Sequence, residues 1–425
     1  MDENTATPDG EAQAIAPATR GERIASLDFI RGVAVLGILA ANIVAFGQPW
    51  SAYAWPDAFL SGHDATADWL WVAQFVLIDG KMRGLFTLLF GAGMALFMEK
   101  AWERGASQAL LVRRLVFLLL FGLVHYFLIW RGDILVLYSV AGFAAMLFLR
   151  WSGRRLLTLG LLGYLVGALV YALAIGSAYV IADTAFGQAE GMEEARGSIA
   201  EGKQTAIADD QAEIPIMTEG SYADFVGHNF AEHAGDPLNA IFLMIFETVP
   251  LMLIGMAFYR LGWFGTCGNR RSRMAWGWGL FLTGAGLSLW MALWVKAEGF
   301  TYWATLSAMM AFSMLPRLPM ILGLALLLAL YGNSASGWLA ERLSAAGRAA
   351  FTNYIGTSIL MMLIFHPWAG GLWGELTRPE LYLVVLLGWA VMLTWSRIWL
   401  AKYRYGPLEW LWRCLTYGRA FTIRR

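Results

Sequence analysis

The chain has 425 residues, of which 58% are hydrophobic and 15% charged, and its formal net charge is zero. A soluble globular domain carries about 45–50% apolar and about 25% charged residues, so the composition excludes an ordinary soluble domain and points to the bilayer. A zero net charge sets up no global field for nucleic acid, and two cysteines, Cys267 and Cys414, make no disulfide framework.

Residues 1–22 are mostly Ala, Thr, Pro, Asp and Glu. They cannot bury enough apolar surface to fold, so a disordered N-terminus is expected. With no basic n-region and no apolar h-region they are not a cleaved leader, and the first span must direct insertion itself. Runs of apolar residues then predict ten spans: 27–47, 85–98, 115–130, 134–149, 156–181, 240–259, 274–295, 302–331, 349–366 and 381–399. Only helices satisfy every backbone amide of such runs in lipid, so the expected class is all-α, a polytopic membrane protein. The 21 Trp and 15 Tyr suit interfacial aromatic belts.

Stretch 67–78, "ADWLWVAQFVLI", is apolar but short, and Asp79, Gly80, Lys81, Met82 and Arg83 interrupt it. It is expected to be an outer, partly embedded helix, with one net crossing over 67–98. Basic residues cluster at 100–114, 150–155, 260–273, 342–348 and 397–425, alternating with segments poor in Lys and Arg. The positive-inside rule makes the basic set cytoplasmic and leaves both termini inside. The chain thus divides into the N-terminal stretch 1–22, a membrane half 23–182, a loop 183–236, a second membrane half 237–399 and a tail 400–425. The loop holds twelve Asp/Glu against Arg196 and Lys203. It is expected outside, as a solvated acidic segment rather than a binding lid. The tail, basic and aromatic, is expected as a cytoplasmic helix on anionic headgroups.

A charge inside the bilayer costs about 2.5–3.5 kcal/mol on insertion scales, so each one needs a reason. Asp28 and Arg31 share a helix face at the mouth of the first span, either as a structural ion pair or with Arg31 on the phosphate of an anionic cytoplasmic ligand. Asn42, about three turns beyond Arg31, extends the same stripe. The Asp79–Arg83 break suits polar backbone lining a cavity. His125 lies within a span and is a candidate base. Asp133, across a turn that holds Trp130, is placed to orient it, and Tyr138 follows. Glu247, three residues before Pro250, must face the bundle interior, toward Arg31, Arg83 or His125. Next to Tyr354, Asn353 and Thr357 are four apart and share one hydrogen-bonding stripe, whose plainer role is helix packing. All five histidines fall toward the outer side. No His/Cys spacing supports a metal site, and neither a P-loop nor a Gly-x-Ser-x-Gly elbow is present.

Five ordered motifs, "RIASLDFIRGVAVLGILAANI", "DGKMRGLFTLLFGAGM", "GLVHYFLIWRGDILVLYSVAG", "GRAAFTNYIGTS" and "YGPLEWLWR", resemble the successive signatures of the YeiB-like bacterial inner-membrane proteins. The C-terminal half of that family is known as domain of unknown function 418. The opening motif is also similar to that of the wider transmembrane acyltransferases, the lysosomal heparan-α-glucosaminide acetyltransferases among them. That resemblance implies transfer of an acyl group from cytoplasmic acyl-CoA, a co-substrate and not a resident cofactor, to an extracytoplasmic glycan or lipid acceptor. It implies Arg31 with Lys81 or Arg83 at the donor and a histidine as base. The acetyltransferase pattern points to His63 for that base; the YeiB-like signature points to His125. Rival expectations are a transporter or lipid-handling protein, marked by discontinuous helices around a midplane site, and a structural or regulatory membrane protein. The motif "SMLPRLPM" at 313–320 is a place where a helix could break.

Overall fold

The computed structural model describes residues 24–266 and 268–425. The expected disordered stretch 1–22 and Cys267 lie outside the described residues. In chain order the helices are α1 (Ala25–Gly47), α2 (Ala65–Leu77), α3 (Lys81–Glu103), α4 (Ala109–Leu128), α5 (Leu135–Met146), α6 (Gly153–Tyr171), α7 (Ser177–Asp183), α8 (Glu193–Thr218), α9 (Tyr222–Glu232), α10 (Asp236–Arg260), α11 (Arg270–Ala297), α12 (Tyr302–Ser307), α13 (Met314–Gly332), α14 (Trp338–Arg348), α15 (Ala350–Phe365), α16 (Arg378–Lys402) and α17 (Pro407–Tyr417). No strand forms among the described residues, and the protein is an all-helical polytopic membrane protein.

Among the described residues eight segments are long and apolar enough to cross a bilayer. The bent pair α14–α15 makes a ninth if it is counted as one span. The predicted run 134–149 yields only the 12-residue α5, about 18 Å of helix against a hydrocarbon core of about 30 Å. Large apolar side chains stay exposed on outward faces, for example Leu162, Leu169 and Leu173 on α6–α7 and Trp276 and Trp290 on α11. Lipid is the solvent such faces require.

Helix α1 is the central pillar. It packs against α3, α13, α14, α15 and α16. Its approach to α14 is so close that a Cβ on Gly32 would drive into the Leu343 carbonyl, and one on Gly347 into the Asp28 carbonyl. Helix α10 is held likewise between α3 and α6, with Gly91 and Gly255 allowing the α3–α10 backbones to touch. Small residues at such crossings are how membrane helices gain van der Waals contact without a hydrophobic driving force.

Three segments take a more definite form than the sequence gives them. Helix α2 runs on into α3: Ala65–Glu103 together form one apolar segment, broken at Ile78–Gly80, as one net crossing requires. One face of α2 is tied to the bundle, with Trp71 and Phe75 buried against Met291, Ala292 and Val295 of α11, while Trp69 and Leu77 stay exposed. Second, the acidic loop is folded. The 26-residue α8 and the 11-residue α9 lie over one end of the bundle. Arg131 is paired with Glu213 at 2.5 Å, and the Asn229 amide donates to the Phe127 carbonyl. Third, the tail helix α17 packs on α4 and α15. Trp412 donates to the Arg114 carbonyl, and the Arg114 guanidinium lies 3.6 Å over its ring.

Candidate functional site

The site begins in the turn between α4 and α5. Helix α4 closes with the amides of Ile129 and Trp130 both on the His125 carbonyl. Gly132 follows, where any side chain would collide with the Trp130 ring. Asp133 then caps α5: its Oδ1 accepts from the Val136 amide at 2.8 Å. Its Oδ2 faces His125 Nδ1 at 2.7 Å. The imidazole is fully buried, and its Nε2 has no partner. An unpaired buried polar atom costs about 1–3 kcal/mol, and such a cost at a dyad is a functional signal.

Tyr354 of α15 locks the turn from the other side. Its hydroxyl accepts from the Ile134 amide at 3.2 Å and donates to the Gly132 carbonyl at 3.5 Å, bracketing Asp133. Its ring lies 5.1 Å from that of His125. Trp130 lies 6.3 Å from the imidazole and stacks on Phe46 at 3.9 Å.

Three cavities adjoin these rings. The largest, about 330 Å³, lies between α1, α3, α4, α15 and α17. Asp28, Arg31, Lys100, Arg104, Arg114 and Arg413 are among its charged lining, and Tyr138 and Tyr354 also wall it. Tyr354 is at the same time a wall of a second, far smaller space of about 10 Å³, which Asn42, Phe46 and Trp130 complete. Phe46 and Trp130 in turn wall a third, of about 20 Å³, beneath α8 and α9, where Arg131, Glu213, Phe225 and His366 contribute. One stripe of α1 thus faces all three: Asp28 and Arg31, then Asn42, then Phe46.

A separate polar core lies around the α2–α3 break. Glu247, 2% exposed, accepts from Arg83 Nη2 at 2.5 Å and from Arg317 Nη1 at 3.0 Å. Arg317 also donates to the Met309 carbonyl and Ser313 Oγ, both at 2.6 Å, where a π-helical turn, Ala308–Phe312, interrupts the run into α13. Asp79 accepts from the Gln74 amide at 3.0 Å, and Gln74 Oε1 accepts from Arg378 at 3.1 Å and Tyr382 at 2.7 Å. Lys81 is buried, with its ammonium on the Phe75 carbonyl. Tyr138 joins this core to the large cavity, because its hydroxyl meets Thr87 Oγ1 at 2.7 Å and donates to the Arg83 carbonyl at 3.1 Å.

The sequence-derived candidates therefore divide into groups. Arg31 and Asp28, paired at 3.0 Å, stand in the large cavity. Trp130, Tyr354 and Asn42 wall the cavities, and the His125–Asp133 pair lies behind the Trp130 and Tyr354 rings, lining none of the three. Asp79, Lys81, Arg83 and Glu247 form the separate core, touching the cavity through Tyr138. His63 lies elsewhere, bonded to Asp68 at 2.5 Å beside Phe300. Asn353 turns away from Tyr354: its amide nitrogen bonds the Ala346 carbonyl and Ser396, both at 3.0 Å, and its oxygen accepts from Trp395. It ties α14, α15 and α16 together. Sequence reasoning missed Arg317, Arg378 and Gln74. A lone arginine between two prolines in an apolar run was signal enough for Arg317; Gln74 and Arg378 carry no comparable mark. Among the described residues no group of three or more His, Cys, Asp or Glu is placed to hold a metal.

No solved structure matches this chain. The family described as "Protein of unknown function (DUF418)" matches residues 258–419. The uncharacterized protein YxaH of Bacillus subtilis (strain 168) is 30% identical over 94% of this chain and 96% of its own length. The uncharacterized protein YeiB of Escherichia coli (strain K12) is 30% identical over 93% of this chain and 96% of its own. An uncharacterized 39.9 kDa protein of Bacillus acidopullulyticus is 25% identical over 96% and 97%. With whole-length relatives at this identity and the C-terminal domain matched, the chain belongs to the YeiB-like DUF418 family of polytopic membrane proteins.

Proposed function

We propose that the protein is a transmembrane acyltransferase of the bacterial cytoplasmic membrane, taking an acyl group from acyl-CoA on the cytoplasmic side to a glycan or lipid acceptor on the other. The Lys/Arg distribution supports an orientation with the cavity mouth and both termini in the cytoplasm and α8–α9 outside. The observation that carries the proposal is the unpartnered His125 Nε2, buried behind Tyr354 where the cationic cavity ends. With Nδ1–H donating to Asp133, Nε2 holds the lone pair. In the transfer an acceptor hydroxyl gives its proton to Nε2 as its oxygen bonds the thioester carbonyl carbon. The C–S bond then breaks, and the CoA thiolate leaves and takes up a proton. Arg31 and its basic neighbours hold the donor's phosphates, while Trp130 and Tyr354 keep the dyad dry.

The test is release of CoA thiol by purified protein in nanodiscs supplied with acyl-CoA and an envelope extract as acceptor source. His125→Asn and Asp133→Asn are expected to abolish release while retaining donor binding. Absence of both binding and release in the wild type refutes the proposal.

A second reading, a transporter or lipid-handling protein, is favoured by one observation: the α2–α3 break and the π-helical turn before α13 meet at the Arg83–Glu247–Arg317 core. Uptake of a labelled solute into proteoliposomes, undiminished by His125→Asn, decides for it.

A further inference from the structure

Helices α11 and α13 run antiparallel and touch at glycines. A Cβ on Gly323 would stand 2.6 Å from the Gly277 carbonyl oxygen, and one on Gly284 2.5 Å from that of Pro316. Toward the start of α11 the side chains of the two helices part and wall a groove of about 340 Å³. Met274, Trp278 and Phe281 form one wall, at the spacing of a single helix face, and Leu324, Leu327 and Leu328 form the other. Arg270 and Tyr331 stand at its polar end, and Trp278 and Tyr331 are exposed at the rim. From Arg270 to Phe281 the helix rises about 16 Å, which is close to one leaflet of a hydrocarbon core about 30 Å thick.

The charge pattern at the polar end is one-sided. Among the described residues no carboxylate lines the groove, and α11 has no acidic residue in its first turn, where the helix dipole is positive. Arg270 and Arg271 are both exposed. Arg273 instead donates to the Gly265 and Trp263 carbonyls and holds the preceding loop. A phosphate meets a guanidinium and a hydroxyl at this end, whereas the ammonium of a zwitterionic head finds a cation and no anion.

We propose that this groove seats one anionic glycerophospholipid of the cytoplasmic leaflet. Its phosphate lies on Arg270 and Tyr331, and one acyl chain runs between the α11 and α13 walls as far as Phe281. The leaflet follows from the orientation proposed above, which faces the Arg270 end to the cytoplasm, the side where basic pockets between helices meet anionic lipid heads. The seated chain covers apolar side chains that the two helices, held together at their glycines, leave uncovered where they part. The site is separate from the cavities around Tyr354 and does not depend on the acyl-CoA reading.

Full-length protein in detergent is offered equimolar phosphatidylglycerol and phosphatidylethanolamine, and the lipid retained per protein is read by native mass spectrometry. The first lipid bound is expected to be phosphatidylglycerol by at least tenfold. Arg270→Gln is expected to cut that preference at least fivefold. Arg271→Gln removes the same charge one residue along, outside the groove lining, and is expected to leave the preference within twofold. Leu324→Trp fills the chain seat and is expected to lower phosphatidylglycerol retention at least fivefold while melting with the wild type; Leu324→Phe replaces it should the larger ring prevent folding. Excess glycerophosphoglycerol, the same head without chains, is expected to displace none of the lipid. Equal retention of the two lipids overturns the proposal. So does an equal loss from Arg270→Gln and Arg271→Gln, which assigns the preference to the general charge of the helix end. A preference that survives Arg270→Gln places the lipid elsewhere on the protein and overturns it as well, and displacement by glycerophosphoglycerol removes the acyl seat.

Discussion

Glu247 is the residue whose removal should be felt most. Its two oxygens are divided between Arg83 at 2.5 Å and Arg317 at 3.0 Å, and the carboxylate side chain is 3% exposed. Glu247→Gln keeps the volume and deletes the charge, so two guanidinium groups lose their shared counterion. Removing one partner of a buried pair costs about 3–5 kcal/mol, because the charge left behind is uncompensated. For chains of this size about 2 °C or somewhat less follows from each kcal/mol, giving a fall of about 5–10 °C. Thermal unfolding in nanodiscs, read from tryptophan fluorescence, measures it. Adding Arg317→Gln removes one of the stranded charges, so the double variant should lose less than the two singles summed, with a coupling of about 1 kcal/mol or more. A Glu247→Gln melting point within about 1 °C of the wild type, together with strict additivity, would refute the reasoning.

Tyr354→Phe removes the hydroxyl that joins the Ile134 amide and Gly132 carbonyl; a loss of about 1 kcal/mol is expected, with turnover reduced and donor binding unchanged. Gly32→Val should prevent accumulation in the membrane, since the α1–α14 contact leaves no room beside the Leu343 carbonyl, and an immunoblot of membranes reads it. Arg131→Ala severs Glu213 and His233 from the bundle, so hydrogen exchange should rise across 193–232 and stay unchanged in α1.

What could be read in the sequence followed the cost of burying charge. Each apolar run became a helix because lipid leaves the backbone no alternative, and the Asp79–Arg83 interruption stood out because a bilayer charges for every ion. The His125–Asp133 spacing across a turn suggested a dyad, and the atoms stand 2.7 Å apart. Partner choice was not legible. Nothing near Glu247 in the chain points to Arg317, because that contact depends on how α10 and α13 pack. Likewise the charges on α8 suggested a solvated loop, since its apolar residues are too few to announce burial; docking came instead from Arg131–Glu213 and from Met217 and Phe225, which are buried. Asn353, read as packing glue between helices, does bridge α14, α15 and α16, but its partners Ser396 and Trp395 could not be named from the chain.

The stack of Phe46 on Trp130 has a consequence for bioenergetics. These two rings, with Tyr354, wall the spaces that follow the large cationic cavity along α1. A bore of that size running on unpartitioned would be a leak through any membrane the protein crosses. The rings act as insulation, and only side-chain rotations stand between the sealed protein and a leaking one.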